Sequence, residues 1–140
     1  MTLKNNEKWG VKMFEKYIIN DTHFRNYYKG GKARGFILCL RIHYYRGIPL
    51  SMIHNIKVDI DGEVFGTKDM RVILGGKAYT FEEMKEISDI NWPFGQDLRL
   101  EIKKEGGLIP GRKTVKAELT CRNAYFGIFT GKCERIMTFG

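Results

Sequence analysis

The stretch IKVDIDG, residues 56–62, carries an apolar side chain at every second position from Ile56 to Ile60. Alternation with a period of two places these apolar side chains on one face of a β-strand. Asp61 and Gly62 then supply the left-handed backbone that a tight β-hairpin requires. The stretch therefore predicts a strand, a two-residue turn and a returning strand.

The same alternation recurs over residues 98–103 and 115–122, which predicts two more strands with one buried face. Residues 36–42 are denser in apolar side chains, which favours a strand with neighbours on both sides. Residues 70–80 contain a glycine pair between two short β-type runs and predict a second hairpin. Together these patterns predict an all-β fold, an antiparallel β-sandwich of the immunoglobulin-like kind.

One short helical turn interrupts the strand pattern. Thr80 and Glu83 have the spacing of a capping box, and Phe81, Met84 and Ile87 recur at intervals of three residues. We expect a helix of one or two turns at one end of the sandwich.

The size and composition predict a single domain over residues 1–140, with residues 1–12 as an N-terminal arm. Apolar residues make up 43% and charged residues 29% of the 140 positions, which is typical of a globular chain and excludes a largely disordered one. No apolar run approaches the ~20 residues that span a bilayer, and residues 1–16 carry charges throughout. These features predict a cytoplasmic protein without a membrane partner.

The cysteines Cys39, Cys121 and Cys133 are widely spaced and form no CxxC pair, which favours free thiols in a reducing compartment. By strand alternation Cys39 shares a face with Arg41 and His43, whereas Cys121 lies on the apolar face of its strand. We therefore expect no disulfide between them. Four residues of extended strand separate Cys39 from His43 by about 13 Å, which is too far for a nucleophile and its base.

The net charge of +8 raises the question of a nucleic-acid partner. Lysines and arginines are, however, interleaved with acidic residues, as over residues 99–104, and this pattern favours a solvated face. Attraction to an acidic protein surface is the main alternative, and nucleic-acid binding is the weaker one. We predict no nucleic-acid partner.

Candidate metal ligands and catalytic groups are sparse. The histidines His23, His43 and His54 lie far apart and match no metal-binding spacing. The sequence predicts neither a catalytic residue nor a metal site in this chain.

Residues 43–53 break the β pattern with aromatic, arginine and methionine side chains, which are enriched at protein interfaces. Residues 90–95 form a second aromatic cluster. Both clusters have an alternative interpretation as segments folded over their own end of the sandwich, and for the second this interpretation is favoured. The predicted interface residues are Tyr44, Tyr45, Arg46, Gly47, Ile48, Pro49, Met52, Trp92 and Phe94.

Several stretches resemble the beta subunits of bacterial C-glycoside deglycosidases. The most specific is YYRGIPLS, within RIHYYRGIPLSMI at residues 41–53. The others are MFEKYII at residues 13–19, Gly35-Phe36 at the start of a strand, VDIDG at 58–62, WPFG at 92–95 and GGLIPG at 106–111.

This resemblance implies an accessory β-sandwich subunit of a heteromeric carbon–carbon lyase. It implies a larger alpha subunit, a TIM barrel that holds a divalent metal, manganese, and a substrate that is a C-glycoside oxidised at the 3-position of its sugar. The alternative from another functional class is a free-standing immunoglobulin-like module that binds a carbohydrate or a protein.

Overall fold

The computed structural model describes residues 15–44, 46–123 and 127–140, so the predicted arm over residues 1–12 lies outside the described residues. Strands dominate this part of the chain, and one short α-helix and two 3-10 turns join them. The strands in chain order are β1 (Ile19–Lys29), β2 (Lys32–Leu40), β3 (Ile48–Pro49), β4 (Ile53–Ile60), β5 (Glu63–Phe65), β6 (Met70–Leu74), β7 (Lys77–Tyr79), β8 (Asn91–Trp92), β9 (Leu98–Lys103), β10 (Gly111–Asn123) and β11 (Gly127–Phe139). The helix is α1 (Phe81–Met84), and the 3-10 turns are Leu50–Met52 and Thr67–Asp69.

The strands form two principal antiparallel sheets. The five-stranded sheet has the order β1-β2-β9-β6-β7, and the four-stranded sheet has the order β11-β10-β4-β5. A separate two-stranded ribbon joins β3 to β8. One apolar core draws side chains from both sheets, and the rings of Phe36 on β2 and Phe65 on β5 meet edge to face at 5.2 Å. The predicted antiparallel β-sandwich is confirmed.

Both predicted hairpins are present. Asp61 and Gly62 adopt positive φ angles of 50° and 94° between β4 and β5. The carboxylate of Asp59 accepts the Gly62 amide at 2.7 Å and fixes this turn. A Gly75-Gly76 turn, also with positive φ angles, joins β6 to β7.

Both reciprocal hydrogen bonds of the α1 capping box are present. The Thr80 hydroxyl accepts the Glu83 amide at 3.1 Å, and the Glu83 carboxylate accepts the Thr80 amide at 2.8 Å. Met84 is buried, and Phe81 and Ile87 pack against the core. The predicted short helix is confirmed.

The two longest edge strands, β1 and β11, lie against each other and close one side of the sandwich. The rings of Phe24 on β1 and Phe139 on β11 meet at 4.7 Å. The guanidinium of Arg135 donates to the carbonyl oxygen of Ile19 at 3.0 Å. This contact ties together two strands that belong to different sheets.

The three cysteines are free and buried. Cys121 belongs to the core between the sheets, and its burial raises the pKa of the thiol. Cys39 pairs with Arg99 of β9 on the outer side of the five-stranded sheet, where burial and then nearby Asp97 raise its pKa. His43 does not share this face as expected, because β2 ends at Leu40 and the alternation ends with it.

The outer face of the four-stranded sheet carries alternating charges. Glu118 of β10 lies 3.6 Å from Lys57 of β4 and 3.9 Å from Lys132 of β11, and Lys116 lies 3.7 Å from Glu134. This arrangement agrees with the solvated face that the sequence indicates. The helices in the described ranges are too short or too polar to cross a membrane.

Candidate docking surface

The segment of residues 44–52, which we call the docking loop, is held by main-chain hydrogen bonds. Its β3 portion pairs with β8. The Leu50 amide then donates to the Ile90 carbonyl and the Ser51 amide to the Ile87 carbonyl, both at 2.9 Å. Main-chain hydrogen bonds thus hold the second half of the docking loop against residues 87–92.

The first half of the docking loop lies close against the turn that follows β8. A Cβ atom at Gly47 would approach the Trp92 carbonyl oxygen to 2.5 Å and the Pro93 Cα to 2.8 Å, so only glycine fits this position. The indole Nε1 of Trp92 donates to the Gln96 carbonyl at 2.8 Å, which closes the turn. These contacts hold Gly47 and the turn after β8 in place against each other.

A buried histidine lies beneath the start of the docking loop. The ring of His43 is 4.7 Å from that of Phe129 and fills the space left by Gly131, where a Cβ atom would collide with it. Both ring nitrogens are buried without a hydrogen-bond partner among the described residues. Burial lowers the pKa of His43 to about 4, because the charged imidazolium loses its hydration there.

The entry to the docking loop is fixed by Asp97. Its carboxylate accepts the Asn20 side chain at 2.6 Å, Arg41 Nε at 2.9 Å and the Thr22 hydroxyl at 3.4 Å. Burial acts to raise the pKa of Asp97, but the hydrogen bonds from Asn20 and Arg41 outweigh it, so the net pKa is lowered. This network joins β1, the end of β2 and the start of β9.

Three of the nine predicted interface residues are buried within this chain. The exposed fraction is 7% for Tyr44, 3% for Ile48 and 0% for Trp92. The Tyr44 ring lies 5.8 Å from that of Phe129. These three residues support the docking loop from within and offer little surface to a partner in this conformation.

Five of the other six predicted residues lie nearer the surface. Arg46, Gly47 and Phe94 are exposed, and Pro49 and Met52 are half-buried. Tyr45 lies outside the described residues. Arg46 and Gly47 are thus exposed on the docking loop, and Phe94 is exposed on the turn that Gly47 approaches.

The part of the chain that the structure describes contains no cluster of three or more His, Cys, Asp or Glu residues that could hold a metal. The His43 ring lies against the ring of Phe129 and against Gly131, and neither residue has a side chain that exchanges a proton. His43 forms no proton-transfer pair within the described ranges, because neither of its ring nitrogens has a hydrogen-bond partner there.

Sequence reasoning missed two contributors to this end of the sandwich. It assigned His43 to a strand face, whereas the chain turns inward after Leu40. It also assigned no strand to β11, whose Phe129 packs under both His43 and Tyr44. Phe129, Gly131 and Cys133 alternate with polar residues, and this alternation could have predicted the strand. Gly131 weakened the pattern because it carries no apolar side chain.

Known proteins resemble this chain over most of its length. A sequence model of the family described as "C-glycoside deglycosidase beta subunit" matches residues 14–125. The C-glycoside deglycosidase beta subunit of Eubacterium cellulosolvens is 30% identical over 112 residues, which cover 79% of this chain and 76% of that protein. The matched region includes the docking loop, β8 and all strands up to β10. The chain therefore belongs to the family of C-glycoside deglycosidase beta subunits.

Proposed function

We propose that this chain is the auxiliary subunit of a heteromeric carbon–carbon lyase and that its docking loop binds a larger catalytic subunit. Membership of a beta-subunit family implies that a partner subunit exists. The observations that carry the docking proposal are the strand pairing and hydrogen bonds that hold the loop, together with the exposure of Arg46, Gly47 and Phe94.

Rigidity favours docking at this surface. Association costs less when a loop is already ordered, and here the ribbon of β3 and β8 and the close contact at Gly47 fix the backbone in advance. Arginine and aromatic side chains dominate binding hot spots because they combine large area with directional hydrogen bonds or ring contacts. Arg46 is suited to a carboxylate of the partner, and Phe94 is suited to an apolar pocket.

The reaction proposed for the complex is an elimination from a 3-oxo C-glycoside. The ketone at C3 acidifies the proton on C2, and a base of the partner removes it. The electron pair forms the C1–C2 double bond while the bond from C1 to the aglycone carbon breaks, and an acid protonates that carbon.

The partner is proposed to be a TIM barrel with a divalent metal, manganese, which would stabilise the negative charge that develops at C3 oxygen. The proposed role of the present chain is to hold the rim of that site in place. No residue of this chain is assigned to proton transfer.

Reconstitution tests the proposal. The full chain, with manganese supplied, is expected to leave a 3-oxo C-glycoside uncleaved, whereas a mixture with the subunit encoded beside it in the native operon cleaves the substrate. Turnover by the purified chain alone contradicts the auxiliary role. Failure of the two subunits to copurify contradicts the complex.

The same reconstitution locates the contact. Arg46→Ala and Tyr45→Ala are each expected to weaken subunit binding by about 1 to 4 kcal/mol, the usual span for hot-spot truncation, with little change in the melting of the free chain. Ile109→Ala is a matched control, because Ile109 is 77% exposed at the opposite end of the sandwich. Unchanged affinity with a large loss of melting temperature would show that the docking loop serves only to pack its own chain.

A further inference from the structure

A groove on the outer face of the five-stranded sheet lies away from the docking loop. It has a volume of about 340 Å³ and runs between the sheet and the start of α1. Its principal lining residues are Tyr27 of β1, Arg71 of β6, Glu101 and Lys103 of β9, and Thr80 and Phe81 at α1.

The ring of Tyr27 forms one wall of the groove and rests on a glycine. A Cβ atom at Gly35 would collide with the Ile102 carbonyl oxygen and lie 2.7 Å from Cε1 of Tyr27. The Tyr27 ring therefore occupies the space left by the missing side chain of Gly35 on β2, and Tyr27 also lines the groove. Burial, and then the nearby Glu101, raise the pKa of Tyr27, so its hydroxyl stays protonated at neutral pH.

The polar groups opposite the ring are oriented in advance. Arg71 donates from Nε at 3.2 Å and from its terminal nitrogen at 2.5 Å to the same oxygen of Glu101, Oε1. The other oxygen, Oε2, has no hydrogen bond within the described ranges, so it remains an acceptor. Lys103 likewise forms no ion pair with any described carboxylate, so its ammonium remains a donor.

The charges along the groove balance. Three basic side chains, Lys68, Arg71 and Lys103, face three acidic ones, Asp69, Glu82 and Glu101. A ligand with a net charge would therefore gain little electrostatic attraction from the groove as a whole. The donors and acceptors instead suit a neutral molecule rich in hydroxyl groups, and the aromatic wall suits one that also has an apolar face.

A pyranose ring has both properties. Its axial C–H groups form a weakly positive apolar face that matches the negative face of an aromatic ring, and its hydroxyls bond in the ring plane. Hydrogen bonds to ionised groups such as Glu101 and Lys103 are stronger than those between neutral groups. We propose that this groove binds the pyranose ring of a neutral glycoside, with Tyr27 against the apolar face of the sugar and Glu101 and Lys103 bound to its hydroxyls.

The groove is separate from the docking loop. Leu98, at the start of β9, pairs with Leu40 at the end where the docking loop leaves the sheet, and Lys103 lies five residues further along β9. That separation is about 16 Å at the usual rise of a strand. The sugar site is thus expected to stay open when a partner covers the docking loop.

Titration of the full chain with methyl β-D-glucopyranoside, followed by amide chemical shifts, tests the site. We expect saturable shifts centred on Tyr27, Glu101 and Lys103, with a dissociation constant on the order of 1 mM. Tyr27→Ala is expected to weaken binding at least about tenfold, the factor that corresponds to 1.4 kcal/mol. Tyr28→Ala, at the adjacent position, is the matched control and should bind normally, because Tyr28 is 67% exposed and does not line the groove.

Three results overturn the proposal. The first is the absence of saturable shifts in the groove at sugar concentrations well above the expected dissociation constant. The second is that the folded Lys103→Gln variant binds the sugar as tightly as the native chain does. This variant replaces Tyr27→Ala in the test if Tyr27→Ala fails to fold. The third is tighter binding of the glucuronide than of the neutral glucoside. Since the measurement uses this chain alone, its outcome is independent of the subunit proposal.

Discussion

The two ends of the sandwich hold their loops in different ways. The docking loop is held by strand pairing between β3 and β8 and by the buried Trp92. At the opposite end, residues 105–110 are held by main-chain hydrogen bonds, from the Gly106 amide to the Ala33 carbonyl at 3.0 Å and from the Gly107 amide to the Lys104 carbonyl at 2.8 Å, and by the side chain of Asn26. Its amide nitrogen donates to the Leu108 carbonyl at 3.0 Å, and its oxygen accepts the Leu108 amide at 2.8 Å. The first end depends on strand pairing and a buried ring, whereas at the second one side-chain amide satisfies both backbone groups of the buried Leu108.

Removal of Trp92 is expected to have the largest effect. Trp92→Ala deletes a fully buried ring and the hydrogen bond to Gln96, and should lower the free energy of unfolding by about 3 to 5 kcal/mol. Denaturant unfolding measures the change. Phe94→Ala is the matched aromatic control, because Phe94 is 50% exposed, and a loss as large as that of Trp92→Ala would show that the turn, and not the buried ring, carries the stability.

His43 makes the docking end sensitive to pH. Its pKa is about 4 in the folded chain against an ordinary 6.5, so the unfolded chain binds more protons below pH 6.5. The neutral, buried His43 therefore contributes to the free energy of unfolding in full above about pH 6.5. This contribution is lost as the pH falls toward 4, by about 3 kcal/mol in total.

The free energy of unfolding as a function of pH, compared between the native chain and His43→Leu, measures this contribution. The variant is expected to lose less stability than the native chain between pH 6.5 and 4. His54→Leu, at an exposed position, should keep the native slope. Parallel curves for the native chain and His43→Leu would rule out a buried neutral imidazole.

The opposite end should respond to one substitution by a smaller amount. Asn26→Ala leaves the amide and the carbonyl of the buried Leu108 without their partner, and should cost about 2 kcal/mol of unfolding free energy. Asn55→Ala, at an exposed position of β4, is expected to stay within about 0.5 kcal/mol of the native chain. Equal effects of the two substitutions would mean that the main-chain hydrogen bonds of Gly106 and Gly107 hold residues 105–110 without Asn26.

Much of the fold followed from local patterns. The hairpin at Asp61 and Gly62, the hairpin at Gly75 and the capping box at Thr80 each depend on neighbouring residues, and all three are present. Strand β11 was not predicted, because its two faces do not separate cleanly into apolar and polar residues. Its inward face carries Gly131 and Cys133, and its outward face carries Ile128 and Ile136. Strand β1 was not predicted either, because two register shifts interrupt its pairing with β2.

The candidate sites depended on contacts that no local pattern records. The sequence identified the docking loop as unusual, but burial of Tyr44 comes from Phe129, far along the chain. The groove likewise depends on the pairing of β2 with β9, which brings Gly35 beside Lys103 and seats the Tyr27 ring there. The sequence indicates which side chains belong to a candidate site. The residues that these side chains contact could be identified only from the register of the sheets.

The closure of β1 against β11 bears on self-association. Long edge strands present rows of unpaired backbone groups that recruit strands from other molecules. Here the two long edges lie beside each other, and two of their backbone groups bond to side chains: the Ile19 carbonyl accepts from Arg135, and the Lys132 amide donates to the Glu15 carboxylate at 2.6 Å. The remaining edges, β5 and β7, have three residues each, which is too short to template a new strand well. Among the strands described, the two longest edges are thus partly covered within the same molecule.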